Sequence, residues 1–361
     1  MHDTRPGNGR LLRGVFSTMK SVTPALVLTA LAWPTLRGAA QSVGNAATPV
    51  CAVAPEPSRF VFRSAFWLNL HNFLHRGAKE RRGINDELPA ARTVTARDTA
   101  GTRSLTPDER RSWEAALAFY ASNAVAQGRA DSIVEKVNER LARAADNGGL
   151  RDVDIDPAVR QALVAAAPVY RAVWWPVHDR RNQEWIASLR TMLASREACL
   201  SRLVADALSG EWPTAPIIVD ASVYASWFGA YLTQNPVHIT MSSNASGNQG
   251  SLGLETVLHE SGHAMTGPIE SALRETAARE HRQLPGELAH LMLFYSVGEV
   301  VREYFPDHVP YAEAFGLWQQ NRRAEGYHSL LQRKWRPYLS GRRGFSDAIL
   351  DVVRGLPSET M

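Results

Sequence analysis

The chain has 361 residues, enough for one large domain or two lobes, and its 45% hydrophobic content can build a sizeable core. Its net charge of +4 rests on 40 basic residues, only four of them lysine, scattered among 36 acidic ones. No dense basic patch interleaved with aromatic residues appears, so nucleic acid is set aside as a partner.

Residues 1–18 are Arg-rich and without period, and Met19-Lys20 offers a second start. A short positive region, the apolar run Ala25 to Trp33 and the small residues Gly38-Ala39-Ala40 then follow. That is the layout of a secretory signal peptide over residues 1–40, cleaved after Ala40. The run is too short to span a bilayer, and no other reaches about 18 apolar residues. The expectation is a secreted or periplasmic protein with no stable membrane insertion after cleavage. Residues 41–60 read as a linker, with three prolines between Ala46 and Ser58. Cys51 and Cys199 are the only cysteines. In an oxidising compartment they form one disulfide or remain two thiols, and the sequence leaves both open.

Residues 61–210 read as a helical lobe. Ser64 to Lys79 has helical period, with Phe66, Leu70, Phe73 and Leu74 on one face. His71 and His75 are four apart on it, but with few other ligands nearby they read as packed or solvated rather than as a metal pair. Ile84 to Leu105 is polar and irregular and reads as loop. Thr106-Pro107-Asp108-Glu109 is a capped helix start, and helical period continues to Leu208. Trp174-Trp175-Pro176 and Trp185 are expected to be core aromatics.

Residues 211–361 change period. Ala215 to Val223, Ser226 to Leu232 and Val237 to Ser243 are β-rich segments, and Asn244 to Gly250 is a loop into the next helix. That helix, Leu254 to Met265, reads LETVLHESGHAM, with Ser251 as N-cap and Gly267-Pro268 as stop. His259 and His263 are four apart, so two imidazoles project from one face and can reach one metal ion, here zinc. Glu260 lies one residue round, off-axis for a ligand but placed to act as general base in metal-assisted hydrolysis.

A catalytic zinc takes three protein ligands and keeps an open position. The third is expected from the helix Glu287 to Phe305, which offers Glu287, His290 and Glu299. Glu287 lies in the first turn, where the helix dipole favours an acid anyway. Glu299 sits in the apolar setting SVGEVV, where a carboxylate is costly unless paired or metal-bound, and is the preferred ligand. His290 and Glu299 are nine apart and face opposite sides, so only one of them can complete the site.

The segment from Ala215 to Phe305 resembles the glutamate-type zincin metallopeptidases. The resemblance implies a mostly helical α+β fold, with a small sheet over the metal helix and an edge strand that pairs with an extended substrate. It also implies Glu299 as ligand, with Glu303 in place of the family's aspartate as the outer acid that orients a ligand histidine. A tyrosine or histidine near the metal is expected to stabilise the developing oxyanion, with Tyr295 preferred over Tyr311 and His328. The implied function is a zinc metallopeptidase acting on peptide or protein substrates. The rival readings are a zinc hydrolase of non-peptide amides or esters, and a secreted helical binding protein with a structural metal.

Overall fold

The computed structural model describes residues 58–83, 96–122, 133–144, 148–225, 229–233, 237–320 and 322–357. The segment read as a signal peptide, most of the stretch read as a linker, and Cys51 lie outside these residues. Among them no helix is long and apolar enough to cross a membrane.

The described chain is mostly helical with one small mixed sheet. After strand β1 (Phe60–Arg63) come helices α1 (Phe66–Arg81), α2 (Ala96–Gly101), α3 (Pro107–Ser122), α4 (Ile133–Leu141) and α5 (Pro157–Val173). Helices α6 (Trp175–Leu193) and α7 (Glu197–Leu208) lead into strands β2 (Ile217–Ser222), β3 (Ala230–Thr233) and β4 (His238–Ser242). Then follow α8 (Gly250–Gly262), α9 (Gly267–Arg279) and α10 (Leu288–Tyr304). The last helices are α11 (Tyr311–Ala314), α12 (Arg322–Lys334), α13 (Arg336–Leu339) and α14 (Phe345–Arg354).

Local chemistry explains several boundaries. The expected capping box forms: Thr106 N–H donates to Glu109 Oε2 at 2.8 Å, and Glu109 N–H donates to Thr106 Oγ1 at 3.3 Å. Asp156 caps α5, with Pro157 in the first turn, where its missing N–H costs nothing. Pro268 likewise lies in the first turn of α9, so the Gly267-Pro268 pair expected to stop a helix starts one. Two aromatic-rich cores result. One joins α1, α3, α4 and α5 around Phe66, Trp113, Tyr170 and Trp174; the other joins the sheet to α6 through α10, α12 and α14. Trp174 and Trp185 are core residues, as read from the sequence.

Part of the stretch read as loop is ordered by tertiary contact. Asp98 on α2 is buried, accepts the Tyr224 hydroxyl and lies 3.2 Å from His178 Nε2, while its carbonyl accepts Trp174 Nε1–H. His71 and His75 are both buried. His71 Nδ1 pairs with Tyr120 OH at 2.8 Å, and burial pushes His75 down to about 3.

The sheet order is β1-β2-β4-β3, with β1, β2 and β4 parallel and β3 antiparallel at one edge. β1 was not expected; Phe60 pairs with Ile217, far along the chain. Glu197 holds its start, accepting from the Arg59 and Phe60 amides and from Ser58 Oγ. Two residues on, Cys199 is disulfide-bonded. Asp220, fully buried on β2, accepts Arg63 Nε–H at 3.0 Å and His238 Nε2–H at 2.7 Å, tying three strands together. Removing one member of a buried ionic cluster strands the others. Asp220→Ala should therefore destabilise the chain by about 3 kcal/mol, the low end of the usual range because Arg63 is partly solvated. A urea midpoint that does not move would contradict this.

Candidate metal centre

α8 is fixed by what it buries. Leu254, Val257 and Leu258 have no exposed surface, and Gly253 and Gly262 leave no room for a side chain against the Asn248 carbonyl and Leu293. The helix begins at Gly250 with Gln249 at the N-cap, and Ser251, expected there, lies in the first turn. His263 caps the other end in right-handed helical conformation, its N–H on the His259 carbonyl, so the four-residue spacing keeps its helical geometry.

The imidazoles of His259 and His263 meet with ring centroids 4.9 Å apart. A third joins them from α10: His290 Nε2 is 3.2 Å from His259 Nε2, and its ring is 5.0 Å from that of His263. One ligand nitrogen from each of the three lies within 4.8 Å of the others, a group that could hold a metal ion. The His259 and His290 nitrogens are spaced for a tetrahedral ion. Metal–nitrogen bonds of about 2.0–2.1 Å at tetrahedral angles place two nitrogens about 3.3–3.4 Å apart, close to the His259–His290 separation. His259 is buried, His263 half-buried and His290 exposed, so the group reaches from the core to the surface. His259 Nδ1 is buried without a hydrogen-bond partner. Its ring is held instead by packing, with Phe294 at 4.0 Å.

Glu299 is not brought to this group. It lies on the far side of α10, 3.3 Å from Arg302 Nη1 and 3.7 Å from Arg336 Nε. The correction has a simple cause: the apolar surroundings did signal a carboxylate that needs a partner, and two guanidinium groups supply it. Glu303 is exposed on the last turn of α10, and Glu287 is exposed at its N-cap. Tyr295 belongs to the Glu299 side, 6.0 Å from the His328 ring, and burial followed by Glu299 raises its pKa. Tyr311 is the tyrosine near the imidazoles. It stacks on Phe294 at 6.1 Å, and burial, then Glu255 and Glu260, push its hydroxyl up to about 12.

Burial dominates the electrostatics. It holds His259 well below the ordinary imidazole value, lowers His263 and raises Glu260 to about 8, while His290, exposed as a residue, is lowered to about 4 by desolvation of its ring among its neighbours and then by His263. All three shifts favour the neutral imidazole, the form that can offer a nitrogen lone pair to a metal. These groups also set a pH optimum for the metal-free chain. Below about pH 6.5 the unfolded histidines bind protons that the native ones refuse, so stability falls with acid. Above about pH 4.5 the native Glu260 keeps a proton that the unfolded chain has lost, so its contribution falls as pH rises towards 8. Melting temperature after chelation should peak near about pH 6.5. Glu260→Gln should flatten the alkaline fall and spare the acid one; an unchanged alkaline slope would refute the assignment.

Scans of protein-family models, curated proteins and solved structures found no match to this chain.

Proposed function

We propose that the chain is a zinc-dependent hydrolase, and within that class a metallopeptidase acting outside the cytoplasm. The observation that carries the reading is the convergence of three neutral imidazoles beside the buried carboxylate of Glu260. An all-nitrogen donor set of three suits zinc and leaves a fourth position open, which a structural site would fill with a fourth protein ligand. When bound, zinc would acidify a water and polarise the carbonyl under attack.

The chain's own residues do the rest. Glu260, a buried carboxylate next in sequence to the donor His259, takes the proton of the attacking water and passes it to the leaving amine. Tyr311 is the hydroxyl donor towards the developing oxyanion. β3, an edge strand packed against α8, can take up an extended substrate by main-chain pairing, which favours peptides over small esters.

The test is hydrolysis of an unfolded protein and a mixed fluorogenic peptide library by the zinc-loaded full chain, beside non-peptide esters and amides. Peptide cleavage abolished by chelation and restored by zinc is expected. Turnover of the non-peptide substrates alone would remove the peptidase reading, and no turnover at all would remove the hydrolase.

A further inference from the structure

Besides Glu260, α8 carries one other carboxylate, Glu255, and its surroundings give it a use. It is 1% exposed, one turn before His259. Its Oε2 accepts His308 Nε2–H at 2.7 Å and the Tyr311 amide N–H at 2.7 Å, whereas Oε1 has no hydrogen-bond partner. All of its hydrogen bonding is thus spent on one segment, 308–311. His308, itself buried, uses its other nitrogen to accept the Ser251 hydroxyl at 2.8 Å. The imidazole therefore bridges Ser251 and Glu255, four residues apart on the helix that carries His259 and Glu260. Gly298 makes room: a Cβ there would lie 2.8 Å from Pro310 Cβ and 3.1 Å from Glu255 Oε1.

A buried carboxylate is a poor way to gain stability, since well-packed apolar residues would hold the segment as firmly or more so. What a hydrogen-bonded pair adds is one fixed geometry. The segment it fixes carries Tyr311 and, 4.7 Å from it, Phe315, and it packs on Phe294 above His259.

We propose that Glu255 and His308 are positioning residues that register the 308–315 segment against α8 and so set where the Tyr311 phenol stands relative to Glu260 and the three imidazoles. The role in turnover rests on the hydrolase reading; the anchor itself does not.

The experiment compares zinc-loaded full-length wild type with Glu255→Ala, Glu255→Gln, His308→Ala, Tyr311→Phe and the double variant Glu255→Ala/Tyr311→Phe. Amide hydrogen exchange across 308–315 should quicken by at least about tenfold in Glu255→Ala, with 254–262 unchanged and zinc retained. With a peptide substrate, kcat should fall about as far in Glu255→Ala as in Tyr311→Phe, with KM held, and the double variant should fall no further. Glu255→Gln should recover most of the rate, because the amide oxygen in the place of Oε2 can accept both the Tyr311 N–H and the His308 Nε2–H.

Unchanged exchange across 308–315 overturns the anchor. Rate losses that multiply in the double variant, or loss of zinc in Glu255→Ala, overturn positioning. Should Glu255→Ala fail to fold, His308→Ala is read by the same criteria. A wild type without activity is a failure of the hydrolase reading and ends the role in turnover. An active wild type with multiplying losses is a failure of positioning alone.

Discussion

Replacing Glu260 by glutamine should lower kcat/KM by about 10²–10⁴-fold, the usual worth of a positioned general base, while zinc content stays at wild-type level. The substitution keeps size and removes only the ability to take a proton. Glu260 is not one of the three converging donors, so the metal has no reason to leave. Its place matters as much as its identity: nine-tenths buried, it has a proton affinity raised by desolvation, which a nearby dication would lower again. Paired measurement of peptide turnover and zinc stoichiometry decides the matter. Activity within tenfold of wild type at full zinc occupancy would show that some other group moves the proton.

The second large effect concerns the metal itself. His290→Ala should weaken zinc binding well beyond the ten- to hundred-fold typical of losing an outer hydrogen-bond partner, because it removes a donor rather than its support. Glu299→Ala should leave affinity within about twofold and instead relax the ion pairs with Arg302 and Arg336. Titration of the chelated chain with zinc, wild type beside both variants, separates them. If Glu299→Ala loses the metal and His290→Ala keeps it, the site is built differently from the arrangement described here.

The parts of this site that could be read from the sequence are the local ones. His259, Glu260 and His263 share one helix, and a helix fixes its own geometry, so spacing alone placed them. The third donor depends on how α10 lies against α8, which no window of sequence contains; the same helix offered three candidates. The apolar neighbours of Glu299 truly announced a partner, but Arg302, three residues along, was as good a partner as a metal. Glu255 lies on the same helix as the motif, but its counterpart His308 is 53 residues away, so no local pattern joins them. β1 is the clearest loss on the side of the fold: four residues at the end of a proline-rich stretch become a strand only by pairing with β2.

That pairing sets the order in which the protein can assemble. Arg63 and Asp220 are 157 residues apart, and the strands they join are parallel, so this edge of the sheet closes across nearly all of the helical lobe. Contacts of such long sequence separation are slow to form, because chain entropy is lost before any of them is gained. The helices of the first core and the strands β2, β3 and β4 can fold from neighbours, but β1 must wait for both ends of the loop. The β1 edge, with its Arg63–Asp220 pair, should therefore be among the last parts of the sheet to form.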